Sequence, residues 1–367
     1  MKREQLWMPV ILLFLAVSTA SAQTYITIDA PGAGSSQGQG TFPQNVTNTG
    51  VVFGYFVDPS GVLHGFIRSS QGNYTTFNVS GAGTGSGQGT MPASINFFGS
   101  ITGVYIDADN VSHGFIRTAN GNVTTYDAPY AGTGAGQGTL SYNINFWGEI
   151  AGYVFDSVNR AHAFLRSPNG SIFTYEGPGA GTGAIQGTGT AEGIGLNLEG
   201  AVAGAIIDDS SVLHGYFRLA DGTFVVINAP GAGTGPGQGT DTDGISDDFT
   251  VPGVYYDSHS VSHGFIRYPD GTLIEYDAPC AGTSSGQGTL PEVFNLRGVV
   301  AGPCTDSNNV VHGFIRNTDA VITVFDAPGA GSSAGQGTFP DAMNDENWVG
   351  GNYLDANNAS HGFLRIP

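Results

Sequence analysis

The chain has 367 residues, carries a formal net charge of −19 and contains 59 glycines, and 40% of its residues are hydrophobic. This hydrophobic fraction is enough for a folded core and excludes a chain that is disordered throughout. No lysine occurs beyond residue 22, so the sequence argues against the basic surface that binds nucleic acid or anionic lipid.

Residues 1–22 predict a secretory signal peptide. Lys2 and Arg3 give a basic start, residues 10–17 form an apolar run, and the small residues 20–22 resemble a cleavage site. The apolar run is too short to cross a bilayer. We therefore expect a secreted or periplasmic protein with no membrane insertion after cleavage, in which residues 23–367 form a single domain.

After a first predicted strand at residues 25–29, one short motif dominates the rest of the chain. Its first copy reads His-Gly-Phe-Ile-Arg, and it occurs seven times at spacings of 49 residues, with one spacing of 52. An even repeat of this length indicates one supersecondary unit used repeatedly. The motif histidines are His64, His113, His162, His214, His263, His312 and His361.

Residues 89–138 illustrate one unit. Four short runs rich in β-branched and aromatic residues are separated by Gly, Asn, Asp or Pro, and Asn120-Gly121 is a two-residue hairpin signal. We name the predicted antiparallel strands A, B, C and D. Strand C carries the motif, and a glycine-rich connector leads from strand D to the next strand A.

Four strands in a period of about 49 residues predict an all-β fold, a seven-bladed β-propeller with one blade per unit. The sequence ends after a strand C that no strand D follows, whereas residues 25–29 read as a strand D that no other strand of its unit precedes. The N-terminal strand is therefore expected to complete the last blade and close the ring, which removes exposed sheet edges. Closure would bring Asp29 to His361.

The His-Gly-Phe or His-Ala-Phe element follows an aspartate-containing turn and precedes a glycine hairpin. In this arrangement it resembles the repeat of the bacterial extracellular HAF-repeat proteins. The resemblance covers the whole mature chain. It implies export and a propeller-like repeat fold, but no activity and no functional residue. The connector is more elaborate than the bare family pattern, which leaves room for a distinct subgroup.

Polar residues recur with each motif histidine. An acid or amide lies 14 residues after the first six histidines, and a glutamine lies in each connector. Strand direction places all of them at one end of each unit. Histidine with carboxylates can bind zinc or another divalent ion, but the interpretation that we favour is a hydrogen-bond network that fixes the turn; no cofactor is predicted. The aspartates six residues before the histidines are Asp58, Asp107, Asp156, Asp208, Asp257, Asp306 and Asp355.

Features confined to single units offer a different kind of site. The fourth unit has a three-residue insertion near residues 191–198, and the seventh is acidic around residues 341–348. An acidic cluster in the fifth unit is the alternative single site, for one cation or one substrate. The cluster consists of Asp241, Asp243, Asp247 and Asp248.

The sequence contains two cysteines, Cys280 and Cys304, both in the sixth unit. In an exported protein they either form a disulfide or act as two independent small apolar residues. No Gly-x-Ser-x-Gly nucleophile motif is present. No catalytic residue is therefore assigned.

Near-identical units without a singular catalytic group favour a non-enzymatic, exported binding or scaffold module. Its partner would be a polysaccharide, a peptide or an envelope protein, not a nucleic acid, and we expect a monomer. The alternative is a hydrolase or lyase that acts on an extracellular polymer at one site in the central channel.

Overall fold

A computed structural model describes residues 23–189 and 194–367. The predicted signal peptide and part of the insertion in the fourth unit lie outside these residues. The described elements are strands. In chain order they are β1 (Thr24–Ile28), β2 (Gly40–Val46), β3 (Val52–Val57), β4 (Leu63–Arg68), β5 (Tyr74–Phe77), β6 (Gly89–Ile95), β7 (Ile101–Ile106), β8 (Ser112–Arg117), β9 (Val123–Tyr126), β10 (Gly138–Ile144), β11 (Ile150–Phe155), β12 (Ala161–Arg166), β13 (Ile172–Tyr175), β14 (Gly187–Thr188), β15 (Gly195–Leu196), β16 (Val202–Ile207), β17 (Leu213–Arg218), β18 (Phe224–Ile227), β19 (Gly239–Thr242), β20 (Val251–Tyr256), β21 (Ser262–Arg267), β22 (Leu273–Tyr276), β23 (Gly288–Thr289), β24 (Val293–Phe294), β25 (Val300–Thr305), β26 (Val311–Arg316), β27 (Ile322–Phe325), β28 (Gly337–Met343), β29 (Val349–Leu354) and β30 (Ser360–Ile366).

Each repeat folds as an antiparallel series of strands A, B, C and D. The first unit is β2 to β5, and the others follow as β6 to β9, β10 to β13, β14 to β18, β19 to β22, β23 to β27 and β28 to β30. Strand A is split into two short pieces in the fourth unit (β14, β15) and in the sixth (β23, β24). Short turns between neighbouring strands account for this meander, because antiparallel strands need no crossover.

Neighbouring units are joined by backbone hydrogen bonds. The first residue of each strand A pairs in parallel with the strand C of the preceding unit, as Gly89 does with Leu63. The Leu63 amide donates to the Gln88 carbonyl at 2.8 Å. The same junction joins β2 to β30, which closes the sheet into a ring.

This junction corrects the predicted seven-bladed propeller. Seven separate four-stranded sheets were expected, but all 30 strands belong to one hydrogen-bonded sheet. The structure is an all-β closed barrel in which 21 strands form the ring and nine lie outside it. The outside strands are the seven D strands, with β1 among them, and the second pieces β15 and β24.

The N-terminal strand β1 takes the D position beside β30. It pairs antiparallel with β30 from Thr24 opposite Ile366 to Ile28 opposite Gly362. The expected contact between the two ends of the chain is present, because His361 Nδ1 lies 3.1 Å from Asp29 Oδ1.

The core lies between adjacent units and is centred on the third residue of each motif. These aromatic side chains are almost completely buried: Phe66, Phe115, Phe164, Tyr216, Phe265, Phe314 and Phe363. Burial of seven large rings at equivalent places makes the motif a packing element. Within the described part of the chain, no helix is long and apolar enough to span a membrane.

Candidate functional site

The repeated aspartate and histidine meet at the turn between strands B and C. In the second unit, Asp107 Oδ1 accepts hydrogen bonds from the amides of Asp109 and Val111 at 2.9 Å each. Its other oxygen lies 3.3 Å from His113 Nε2, and His113 Nδ1 lies 2.8 Å from Asp127 at the end of strand D. The histidine thus ties the turn to strand D.

The same arrangement recurs in every unit. The Nε2-to-aspartate distance ranges from 3.0 Å at His162 to 3.8 Å at His263 and His361. At Asp107 burial acts to raise the pKa, but the amides of Val111 and Asp109 and the His113 ring together lower the pKa of this carboxyl below its usual value. The carboxylate is therefore held in its charged form by the fold itself.

The connector glutamines and the motif arginines also make contacts within the fold. Gln88 Nε2 donates to the Ala108 carbonyl at 3.1 Å, so the connector is fastened to the following turn between strands B and C. Arg117 lies over the Phe77 ring of the preceding unit, with its guanidinium carbon 4.8 Å from the ring centroid. This stacking bridges two units at the opposite end of strand C.

The structure separates the four aspartates of the fifth unit. Asp241 is buried within strand A, and Asp243 lines a central cavity. Asp247 accepts a hydrogen bond from the Leu198 amide at 2.9 Å, and Asp248 bonds to its own turn at Ser246 and Thr250. Across residues 23–189 and 194–367, no three His, Cys, Asp or Glu side chains are grouped so that they could hold a metal ion.

Cys280 and Cys304 are joined in a disulfide. The bond links the connector of the sixth unit to its strand B, beside the turn network of His312. It lies at the end of the unit that carries the B–C turn, opposite the A–B turn.

A funnel-shaped cavity of about 840 Å³ occupies the axis of the ring. Residues from all seven units line it, and most of them belong to strand A or to the turn that follows strand A. The funnel opens on the face that carries the turns between strands A and B. Its volume is within the range of ligand-binding pockets.

The residues at the mouth of the funnel do not follow the sevenfold repeat. The second residue of each A–B turn changes in chemistry from unit to unit, and five of these seven residues line the funnel. In chain order these residues are Asn48, Phe97, Phe146, Leu198, Asp247, Leu296 and Asp345. One side of the mouth is therefore apolar and the other is largely polar and acidic.

The apolar side is an exposed aromatic cluster, which we call the aromatic arc: Phe97, Phe98, Phe146 and Trp147. Phe97 is 83% exposed, Phe98 59% and Trp147 62%. The rings contact each other, with centroids 4.9 Å apart for Phe98–Phe146 and for Phe146–Trp147. The Trp147 indole nitrogen donates to the Leu198 carbonyl at 3.0 Å, which fixes its orientation. Contiguous exposed aromatic rings of this kind indicate a binding surface.

Three carboxylates occupy the fifth position of strand A in the fifth, sixth and seventh units. We call Asp243, Glu292 and Asp341 the acidic arc, and all three line the funnel. Asp341 is enclosed by protein except where the funnel reaches it. Burial raises the pKa of Asp341 to about 7, although Gln44 Nε2 donates a 2.6 Å hydrogen bond that favours the charged form.

Sequence reasoning named Asp243 and the acidic stretch of the seventh unit, but it missed the aromatic arc. A signal was present, because Asn96-Phe97-Phe98-Gly99 and Asn145-Phe146-Trp147-Gly148 place two aromatic residues in a tight turn. Aromatic residues in a turn have no strand face to bury them. Their exposure could have been inferred from this position.

No family model matches the chain, and no curated protein matches it in sequence. Among solved structures it is similar to the BP39L lectin from Burkholderia pseudomallei, with a TM-score of 0.56 and 10% identity over 90% of this chain and 94% of the lectin. It is also similar to puromycin hydrolase, with a TM-score of 0.50 and 10% identity over 86% of this chain. The matched region spans only 50% of that hydrolase chain. At such identities the similarity shows a shared all-β fold alone.

Proposed function

We propose that the protein is an exported, non-enzymatic binding module that takes an extracellular carbohydrate chain into the funnel. The aromatic arc carries this proposal. Sugar rings have apolar faces that pack on exposed aromatic rings, and the hydroxyl groups around them need hydrogen-bond partners. The funnel supplies both kinds of group: the aromatic rings of Phe97 and Phe146 on one side, and polar side chains at the mouth, such as those of Asn48 and Asp345, on the other.

Two further points support the proposal. One structural neighbour over nearly its whole length is a lectin. The seven histidine networks use both ring nitrogens within the fold, so they offer the ligand little. Export rests on the sequence pattern of residues 1–22, and relation to the HAF-repeat proteins rests on the seven motif copies; both are part of the proposal.

The test is binding to a panel of neutral, amino and acidic oligosaccharides, measured by calorimetry. Phe97→Ala and Phe98→Ala together are expected to weaken binding about thirtyfold, because each aromatic contact contributes about 1 kcal/mol. Phe173→Ala is the matched control, since Phe173 is an exposed aromatic residue on the outer strand β13. Absence of binding to every oligosaccharide of the panel, or an equal loss of affinity in the Phe173→Ala control, would contradict the proposal.

A second candidate, a polymer hydrolase, is favoured by one observation. General acid–base catalysis uses carboxyl groups in different protonation states, and the raised pKa of Asp341, about 7, would leave this carboxyl partly protonated near neutral pH in a funnel that Asp243 also lines. The discriminating experiment is release of new chain ends from extracellular polymers. Activity that is lost in Asp243→Ala and in Asp341→Asn but kept in His113→Ala would establish this alternative over a pure binding module.

A further inference from the structure

Hydrogen bonds between neighbouring A–B turns join most of the units at the mouth of the funnel. The first residue of this turn is an asparagine in five units. In four of them its Nδ2 donates to the carbonyl of the first turn residue in the next unit, at 3.0 to 3.1 Å. These four residues are buried, and they are Asn145, Asn197, Asn295 and Asn344.

The A–B turn of the second unit is not joined to its neighbours in this way. Thr47 replaces the asparagine in the first unit, and its Oγ1 accepts a hydrogen bond from the Val51 amide of its own turn at 3.1 Å. Asn96 of the second unit uses its oxygen to accept hydrogen bonds from the amides of Phe98 and Ser100. Within the part of the chain that the structure describes, its Nδ2 donates to no group of the third unit.

Packing between the units changes at the same place. The residue before the motif arginine on strand C packs against the next unit, and in five units it is at most 7% exposed. The equivalent Ile67 and Ile116, at the two junctions of the second unit, are only half-buried. The fifth unit also lacks the asparagine, at Ser246, but Ile266 at that junction is 2% exposed. The looser packing is therefore specific to the second unit.

The junction between the first and second units contains a crevice that continues the funnel sideways, beyond the strands A. Its outer edge is open to solvent, because Thr49 and Ala119 are exposed. The crevice is lined by Thr49, Val51 and Ile67 from the first unit and by Gly99, Arg117 and Ala119 from the second.

Arg117 is the cation among the described residues that line this space. One face of its guanidinium group lies over the Phe77 ring, and Nη1 donates to the carbonyl of the adjacent Thr118 at 3.4 Å. Burial lowers the pKa of Arg117, and no carboxylate of the described chain offsets this effect. The side chain is only half-buried, so the edge of the guanidinium group is left for a ligand.

We infer that the crevice binds the carboxylate of an acidic sugar at Arg117, while a neighbouring sugar of the same chain packs on Phe97. This inference rests on the proposed carbohydrate-binding function. The edge of a guanidinium group matches a carboxylate, because two parallel hydrogen bonds can form between them, and such charge-assisted pairs are stronger than neutral hydrogen bonds.

The fold places the two contacts at one end of the second unit. Ile101 pairs with Arg117 across strands B and C. Gly99 lies against Ala119, since a Cβ at Gly99 would be 3.2 Å from the Ala119 Cβ. The turn that carries Phe97 is therefore beside the end of strand C that carries the arginine, and one short glycan can reach both.

The carboxylates on the other side of the funnel favour the same orientation. Asp345 at the mouth already accepts hydrogen bonds from Asn48 Nδ2 at 2.8 Å and from the Leu296 amide at 3.0 Å. Like charges repel in a partly dehydrated space. An acidic sugar is therefore disfavoured on the acidic side and directed to Arg117.

The experiment is calorimetry on the full-length mature protein with two probes, a galacturonate hexamer and the methyl ester of the same hexamer. It is done at about pH 7, where free carboxyl groups are ionised, and at about 0.15 M salt, where charges more than about 8 Å apart are largely screened. The acidic hexamer is expected to bind about tenfold more tightly, which corresponds to about 1.4 kcal/mol, because the ester carries no charge.

Matched variants separate the charge of Arg117 from its packing. Arg117→Gln is expected to remove the preference for the acidic hexamer and to leave binding of the ester unchanged. Arg218→Gln is the control, since Arg218 lies over the Tyr175 ring at 4.9 Å but does not line the funnel; this variant should keep the preference. Phe97→Ala should weaken both hexamers alike.

The outcomes distinguish the two proposals. Equal binding of the two hexamers, or a preference that survives in Arg117→Gln, overturns the acidic-sugar inference and leaves the carbohydrate-binding function standing. Equal weakening of both hexamers by Arg117→Gln also overturns the inference, because an arginine with only a packing role would act in this way.

Two results would reach further. Binding of neither hexamer overturns the inference, and absence of binding across the wider oligosaccharide panel overturns the carbohydrate-binding function as well. An acidic peptide that binds in an Arg117-dependent manner while all glycans fail would overturn both, in favour of a protein partner.

Discussion

At the residue scale, one space beside the motif histidine is filled in three different ways. In the second unit Tyr105 of strand B stacks on His113 with ring centroids 4.8 Å apart. The connector glycine Gly81 lies against the same tyrosine ring, because a Cβ there would be 3.5 Å from it. A bare glycine with a φ of +99° allows this close approach.

In two units, different residues occupy the strand B position of Tyr105 and the connector position of Gly81. In the third unit strand B carries Val154, and Tyr130, at the glycine position, stacks on His162 with ring centroids 5.5 Å apart. In the sixth unit the same two positions hold Cys280 and Cys304, which are bonded. The cysteines therefore differ from the other units at two positions that touch. The two cysteines can be joined because both positions hold cysteine in the same unit. That these positions lie side by side is evident only in the folded structure.

The aspartates at the B–C turn predict a pH dependence of stability. Their pKa values are lowered in the folded protein from an ordinary value of 3.8. A lowered folded-state pKa contributes stability above the unfolded value, and this contribution is lost as the pH falls through the folded value. Repetition in seven units makes the loss cumulative, so the free energy of unfolding should fall steeply below about pH 4.

Asp107→Asn tests this linkage. The amide keeps an oxygen that accepts the turn hydrogen bonds but cannot titrate, so the variant should show a shallower decline of unfolding free energy with falling pH. Adding Asp208→Asn should reduce the slope further by a similar step. Asp109→Asn, at an exposed residue of the same turn, is the control, and a slope as shallow in the control as in Asp107→Asn would refute the assignment. Urea unfolding between pH 3 and pH 6 provides the measurement.

At the element scale, the Gly-Thr pair that opens each strand A joins the units. Thr90 is fully buried, and its Oγ1 accepts a hydrogen bond from the Val79 amide at 2.9 Å. Gly89 makes the parallel pair with Leu63 at a φ of +129°. A Cβ at Gly89 would lie 2.1 Å from the Leu63 carbonyl oxygen, so only glycine fits there.

Gly89→Ala is therefore expected to break the junction between the first and second units. The clash with backbone, added to the unfavourable φ, should cost on the order of 3 kcal/mol of unfolding free energy. Gly87→Ala is the matched control, because Gly87 also has a positive φ but has open space where its Cβ would lie. Denaturant unfolding of both variants checks the difference, and equal losses would mean that backbone strain alone, not the junction, sets the cost.

The sequence predicted what is local. Strand order and the hairpin at Asn120-Gly121 follow from alternation and turn residues within one unit. The continuous sheet was not predictable in this way, because it depends on a contact between Gly89 and Leu63 that shows only when two units are placed together. The propeller expectation treated each unit as separate and was wrong for that reason.

The candidate site was predictable only in part. Asp243 was named as one member of the acidic cluster of the fifth unit, but Asp241 and Asp248 were named with it and do not line the funnel. Sequence spacing cannot separate them, since alternate residues of a strand point to opposite faces and the turn residues follow no such rule. The aromatic arc was not predicted, because its residues occur in only two units and therefore give no repeating signal.

At the scale of the whole molecule, a sevenfold scaffold carries one asymmetric opening. The histidine, glutamine and arginine contacts repeat around the ring and hold it together, whereas the residues that face the axis vary. Repeated positions are thus constrained by packing, and the variable positions along the funnel are those at which a ligand can be selected. This division places the candidate binding site where the repeat breaks down.

The N-terminal strand gives the last prediction. Deletion of residues 23–28 from the mature protein removes β1, including the fully buried Ile28, and leaves β30 with β29 as its one antiparallel partner and an open edge on the other side. Loss of Ile28 alone should cost about 2 kcal/mol, and an unpaired strand edge promotes association between chains. The truncated protein should therefore melt at a lower temperature and form concentration-dependent oligomers in light-scattering chromatography. Asp29→Asn, which removes the charge beside His361 but keeps the strand, should stay as monodisperse as the parent. A truncated chain that matches the parent in both measurements would mean that β1 is not needed to protect the edge of β30.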